Sequence, residues 1–589
     1  MSNITVEKLK QGKIFQVEAR KELSDKGLIA LNTKEDGSIQ RVKICEPIFV
    51  DRTFNNLDSG EHFLIIVSKV KGIYEEQKHS REILIPNKLS ATVKYGNDIP
   101  AESEKIISRY LSNQSITAPH SFVYSKVGWN SDKKGQLEFR LDKSISNNPN
   151  YIAINDQDSL RFNVSCKGSI EDWINMYSNE VKGNTALETM ICISFSAVIV
   201  GYLNKTEKDV DTLIIHLAGK STTGKTTATK LALSIFGLPD IRNKGLLRTW
   251  NATANSMINS LGGNFGVPMA FDELSMLNQK SITKELYTIA SGLEKARLSN
   301  YITQRNQQTW ATTIISTGEQ SIFEKTNNNA GLRVRAICFE GVEWTKSAEN
   351  AENIKKTINN NYGNAGVEYV KHIFNQGFQI IDDKFQQWRD KSLEVMPGSE
   401  FKDRIANKFS AILTAGDIAN EALGLNIDLE AVLNFLSANE AESIKERDFG
   451  EKAFLDMIQV IIQNISNFKT SNSYSTPRIC WGIIENDFGN YQVMILKNVL
   501  QRELRALNNE DPKIVIREWK KKGYLKSEGD RARIRRQVFS KDEQEKRMQS
   551  LGVQKVPKGK LADTVYILKV PKEYLKEYLT VNTFPTPVS

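Results

Sequence analysis

Residues 219–226 read Gly-Lys-Ser-Thr-Thr-Gly-Lys-Thr, the GxxxxGK[ST] spacing that can hold a nucleotide's phosphates. Glycines at 219 and 224 let the backbone of Gly219, Lys220, Ser221, Thr222, Thr223 and Gly224 curl with its N–H groups facing phosphate oxygens. Lys225 would neutralise charge on the β- and γ-phosphates, and Thr226, followed by Thr227 at a helix start, would ligate Mg2+. A second pattern, VPMAFDE, ends in Asp272 and Glu273. One carboxylate at the tip of an apolar strand can hold the Mg2+ shell, and its neighbour can orient and polarise an attacking water. The adjacent pair favours a hydrolysing ATPase, with ATP and Mg2+ as cofactors, over a small-molecule kinase or a switch GTPase. TWATTIIST ends in Ser316 and Thr317, polar groups able to contact the γ-phosphate or the water, and AGLRVRAICFE puts Arg333 and Arg335 at the start of another strand. Those arginines are either transition-state charge stabilisers or surface ion-pair residues.

These residues need a scaffold of short buried strands and intervening helices. LIIHLA reads as a buried strand before the glycine loop, and TATKLALSIFG reads as a helix stopped by Gly237 and Pro239. GLLRTW, VPMAFDE, TWATTIIST and VRAICFE supply four more strands, so the fold class expected is an α/β P-loop core with a parallel sheet. Before it, residues 1–165 are turn-broken β-like runs such as RVKICEPIFV, HFLIIVSKV and SFVYSKVGWN, an N-terminal α+β or β-rich domain. After the core (166–345) come a helical lid or linker (346–470) and a C-terminal segment (471–589) with the order helix, helix, basic turn, strand. That order looks like a winged helix.

A chain of 589 residues is expected to hold about three or four domains. Its five cysteines are scattered and form no CxxC pair, which argues against a disulfide framework or a zinc site and fits a reducing, cytoplasmic compartment. The longest apolar run, Met190 to Leu203, is shorter than the roughly 20 residues a bilayer span needs, so a buried helix and no membrane partner are expected. The net charge of +9 is localised: Lys497 to Lys560 holds 19 Lys and Arg against 9 Asp and Glu. A basic field of this kind suits a nucleic-acid partner. Arg517 and Lys521 lie on or beside the second helix of that segment, while Arg533 and Arg535 populate its turn-rich stretch.

The block GSIEDW…HLAGKSTTGKTTATKLALSIFG…LLRTWNAT…MAFDEL…SGLEKARLSNYITQRNQQTWATTIISTGEQ…AGLRVRAI resembles the AAA+ family of helicase-like ATPases carried on mobile elements. EPIFVDR and VGWN extend the resemblance to about residues 45–420. The family is similar to the mini-chromosome maintenance helicases. The resemblance implies a ring hexamer, ATP-driven translocation on single-stranded DNA and unwinding of forks in replication of a mobile element, with element-encoded replication proteins as further partners. It implies a sensor-1 role for Thr317, an arginine finger acting on the neighbouring subunit for Arg333 or Arg335, and a sensor-2 role for Arg404. It also implies a channel-facing β-hairpin at Lys295–Thr309, where Lys295, Arg297 and Arg305 would touch phosphates. Trp250-Asn251-Ala252-Thr253 matches a family signature for which packing is the only role the residues suggest. The competing reading is a DNA-binding AAA+ switch, an initiator, loader or transposition helper, that hydrolyses ATP without processive unwinding.

Overall fold

The computed structural model describes residues 4–580 apart from 133, 149–151, 157–160, 209, 278–280, 297–306, 327–329, 448, 471–476, 508–510, 530, 541 and 544–561. The N-terminal part opens with an antiparallel meander of four strands, Phe15–Glu18, Lys21–Ser24, Gly27–Thr33 and Ile39–Cys45. A mixed five-stranded sheet follows, in the order Ala153–Asn155, His120–Tyr124, Ile48–Asn56, His62–Val70, Ile73–Ser80. RVKICEPIFV is two strands, divided at Glu46-Pro47, where proline can offer no ladder donor. SFVYSKVGWN is likewise two, because the Asp58 carboxylate takes the Ser125 and Lys126 N–H groups (2.7 and 2.9 Å) out of any ladder.

The second of those strands leaves the N-terminal module. Val127–Ser131 pairs in parallel with Asn264–Phe265, and Trp129 and Phe139 lie in the same apolar core as the central sheet. Residues 127–145 therefore brace the central domain, although the reading from sequence groups them with residues 1–165.

The central sheet is built from β1 (Leu213–Ala218), β2 (Leu247–Thr249), β3 (Met269–Asp272), β4 (Thr313–Gly318) and β5 (Ala336–Glu340). All pairings are parallel and the spatial order is β2-β3-β4-β1-β5, so β4 is inserted between the strand before the glycine loop and the strand carrying Asp272. β1 and β4 are buried at every position, as expected of parallel strands covered on both faces. One cover is α1 (Thr185–Lys205), N-capped by Asn184 and buried from Ala186 to Leu203. It is long and apolar enough to cross a membrane, yet its apolar length lies wholly inside the core. α2 (Lys225–Ser234) leaves the glycine loop, and α3 (Lys402–Leu423) packs along α1. α4 (Leu429–Arg447) closes the helical part.

The C-terminal core takes in α5 (Phe449–Gln463), whose Phe454, Met457, Ile458 and Ile461 pack with Leu500, Trp519 and Leu568. This helix falls in the segment assigned from sequence to the lid. Its apolar stripe is buried in the C-terminal core, and the Trp519 indole donates to Gly450 O at 2.7 Å. Around it are arranged β6 (Gly482–Asn486), β7 (Asn490–Leu496), α6 (Lys497–Ala506), α7 (Pro512–Lys521), β8 (Ile534–Arg536) and β9 (Asp563–Pro571). β9 pairs antiparallel with both β7 and β8, so two consecutive helices are followed by an antiparallel ribbon at the sheet edge.

Candidate functional site

The glycine loop connects β1 to α2 at the carboxyl edge of the sheet. Gly224 has φ +85° and starts α2; a Cβ there would approach Thr345 Oγ1 to 2.4 Å. Only glycine meets both demands. The Lys225 ammonium is turned onto the loop itself, donating to Gly219 O (2.6 Å) and Lys220 O (2.7 Å). Burial pushes it below the ordinary lysine range, a shift opposed by the charges of Glu273, Glu319 and Asp272. Ser221 Oγ donates to Glu319 Oε1 at 3.0 Å, and Thr223 Oγ1 donates to Lys220 O at 3.0 Å. Thr222 and Thr226 are exposed, whereas Thr227 is buried under the helix. Thr226 at the helix start and the Asp272 carboxylate each offer oxygen donors, the chemistry that suits Mg2+.

β3 and β4 bring Asp272, Glu273 and Thr317 together. Thr317 Oγ1 donates to Asp272 Oδ1 and accepts from the Glu273 N–H at 3.1 Å. Its single hydroxyl thus orients both acids. Glu273 has φ +61°, a left-handed conformation costing a non-glycine residue on the order of 1–3 kcal/mol. The Thr317 contact and a Ser275 Oγ donation to Glu273 Oε2 (3.1 Å) hold it there.

Arg333, Arg335 and Arg404 are not part of this cluster. Ile214 is level with Ala336 and Ala218 with Glu340, so Arg335 lies at the amino edge of the sheet while the glycine loop leaves the carboxyl edge. The length of β5 separates them by about 16 Å. Arg335 donates to Gly331 O (2.7 Å) and covers the Tyr287 ring at 4.7 Å; Arg333 covers Phe323 at 5.1 Å. Behind this segment Lys408, buried on α3, donates to Val334 O (2.8 Å) and Arg335 O (2.6 Å). Arg404 is exposed one turn earlier on α3, which puts it at the arginine edge and not beside Lys225. The role of Lys408 was not legible in sequence; its only signal is a lysine set among Ile405, Phe409 and Ile412 on the buried stripe.

The segment expected to form a hairpin is antiparallel at its base. Leu293 bridges Thr309, Glu294 N donates to Gln308 O and Trp310 N to Gly292 O, both at 2.9 Å. Lys295 is exposed just above this base, while Arg297 and Arg305 lie outside the described residues.

A cavity of about 470 Å3 opens beside the glycine loop, lined by Asn184, Thr185, Thr345, Lys346 and Phe435 among others. Trp344 N donates to Thr223 O (2.9 Å) and Asn184 Nδ2 to Trp344 O (2.9 Å), which ties the cavity wall to the loop. Phe435, from α4, stacks on Phe339 with centroids 5.4 Å apart. Single-residue motifs could not reveal this pocket, since its walls come from three separated segments.

On α7 the exposed basic residues Lys513, Arg517 and Lys521 recur every four positions and share one helix face. Lys513 extends the pair expected from sequence. Arg533 and Arg535 are exposed on either side of buried Ile534, at the start of β8.

Two families match the chain: residues 21–309 match a domain of unknown function, DUF927, and residues 448–573 match the Cch helix-turn-helix domain. No curated protein matches. Among solved structures, one described as the SCCmec type IV Cch, an active helicase, superposes with a TM-score of 0.75 at 27% identity. The match covers 96% of this chain and 100% of that one. From its N-terminal strands to its C-terminal helix-turn-helix, the chain resembles the cassette chromosome helicase of SCCmec elements.

Proposed function

We propose that this protein is an ATP-driven DNA helicase of AAA+ type that assembles as a ring hexamer and translocates on single-stranded DNA in replication of a mobile element. The observation that carries this reading is whole-length likeness to an active helicase in a chain whose Lys225, Asp272, Glu273 and Thr317 surround one sheet edge.

In this reading the triphosphate displaces Gly219 O and Lys220 O as partners of the Lys225 ammonium. The β- and γ-phosphates then take up its charge. Thr226 and Asp272 would hold Mg2+, which supplies bridging and neutralisation of phosphate oxygens. Glu273, fixed by Thr317 and Ser275, orients water for in-line attack on the γ-phosphorus and accepts its proton. The cavity lined by Thr345 and Phe435 receives the nucleobase. Since Arg335 and Arg404 lie at the far edge of the same sheet, they serve the nucleotide of a neighbouring copy, where Arg335 or Arg333 stabilises transition-state charge. DNA phosphates contact Lys295, Arg297 and Arg305 in the channel, and Arg517, Lys521, Arg533 and Arg535 on the C-terminal domain.

Purified protein should hydrolyse ATP faster with single-stranded DNA and displace a strand from a forked substrate. Hydrolysis without strand displacement at any nucleotide or salt condition would favour the AAA+ switch instead. Charge reversal at Lys295, Arg297 and Arg305 should abolish unwinding and spare nucleotide binding.

A further inference from the structure

The Trp250 signature acquires a role from four linked hydrogen bonds. Trp250 follows β2 and is 1% exposed; its backbone N–H donates to Asp272 O (3.1 Å) and its indole Nε1 donates to Ser316 Oγ (3.0 Å). Ser316 Oγ lies 2.8 Å from His216 Nδ1 on β1, and His216 Nε2 lies 2.9 Å from Gln320 O, in the loop after β4. Ser316 and His216 are 0% exposed.

Donor chemistry, with His216 buried and neutral, orders this chain. An indole N–H can only donate, so Ser316 Oγ accepts from Trp250. A carbonyl can only accept, so His216 carries its proton on Nε2. Nδ1 is then a lone pair, and the Ser316 hydroxyl proton points at it. Every polar group is satisfied with His216 neutral, and burial correspondingly brings the imidazole down to about 4.

The chain crosses the carboxyl edge of the sheet. It starts after β2, grips the Asp272 backbone on β3, passes through Ser316 on β4 and reaches His216 on β1, three residues before Gly219. Successive residues of a strand face opposite ways. Ser316 therefore serves this buried chain while Thr317, next to it, serves the Asp272 carboxylate and the Glu273 N–H.

We infer that Trp250, Ser316 and His216 are positioning residues that fix the spacing between the phosphate-binding loop and the Asp272–Glu273–Thr317 cluster during ATP hydrolysis. This rests on the hydrolytic role proposed above. None of the three needs to touch nucleotide. Their effect is on the height of β4 relative to β1 and β3, and a displacement of about 1 Å between reacting groups can cost on the order of a hundredfold in rate.

The test uses full-length protein with Trp250→Phe, which keeps a ring and loses the N–H, and Ser316→Ala, which removes the central link. Each should lower kcat by about ten- to a hundredfold while the Kd for ATP stays within about twofold, and the double variant should be no worse than Ser316→Ala alone, because both break one chain. The 15N signals of His216 should report the Nε2–H tautomer in wild type; in Ser316→Ala the proton should stay on Nε2, held by Gln320 O, while the Nδ1 signal shifts as it loses the serine hydroxyl. Wild-type kcat in Ser316→Ala, or additive losses in the double variant, would overturn the inference, as would a lower Tm with unchanged turnover per folded molecule. Lys225→Ala separates this failure from that of the proposed function. If Lys225→Ala hydrolyses ATP like wild type, the hydrolytic reading falls and the relay with it; if it is inactive while Ser316→Ala is normal, the relay alone falls.

Discussion

Thr317 serves two masters with one hydroxyl, giving its proton to Asp272 and its lone pair to the Glu273 N–H. Thr317→Val keeps the shape and removes both contacts, so it should release the left-handed Glu273 backbone and lower kcat about a hundredfold, with ATP binding retained. Glu273→Gln should also bind ATP and fail to turn it over, trapping the nucleotide-bound state seen by filter binding; normal turnover would remove Glu273 from the water-activating role. His216 contributes to acid sensitivity. Its folded value of about 4 lies below the ordinary 6.5, so the unfolded chain binds the extra proton. Its contribution to stability is complete above pH 6.5 and is lost as pH drops toward 4, by about 3 kcal/mol at the lower end. Urea midpoints measured from pH 7.5 to 4.5 should follow this slope in wild type and flatten in His216→Gln.

Elements carry the next level of explanation. The loop before α2 depends on the positive φ of Gly224 and on the approach of Thr345. Gly224→Ala should abolish binding of a fluorescent ATP analogue while the circular dichroism of the fold is kept. On α7, Arg517→Glu with Lys521→Glu should weaken duplex and fork binding and flatten its salt dependence by roughly two phosphate contacts. The strands of the central sheet were readable because buried parallel strands are short, uncharged, β-branched-rich runs, LIIHLA and TTIIST among them. Their order was not, for nothing local in TWATTIIST says that it lies between LIIHLA and MAFDE; only that insertion brings Thr317 to Asp272. α5 was grouped with the lid for a related reason: its apolar stripe is plain in FLDMIQVIIQ, but a stripe does not name the core it joins. Lys408 stayed hidden because the carbonyls that receive its ammonium come from over 70 residues away.

The whole molecule is organised around a sheet with different chemistry on its two edges. The glycine loop and the acidic groups stand at the carboxyl edge, and Arg335, Lys408 and Arg404 at the amino edge. Mixing Arg335→Ala with Lys225→Ala protein should recover part of the ATPase that each has lost alone, because some interfaces would then join an intact loop to an intact arginine. No recovery at any ratio would place Arg335 in a structural role. On the proposed assembly, a dilute, dissociated chain should be inactive, and specific activity should rise with protein concentration until assembly is complete.

The burial of α1 also matters before the protein is finished. During synthesis its apolar length emerges ahead of the sheet and well ahead of α3, the helix that packs along it. At about 5–20 residues per second, α1 waits on the order of 10–40 s for that partner. Throughout that interval the nascent chain displays a segment with the length and hydropathy of a membrane span. Chains cut short before Lys402 should therefore be holdase clients or aggregates, a liability of the unfinished protein that the folded one entirely conceals.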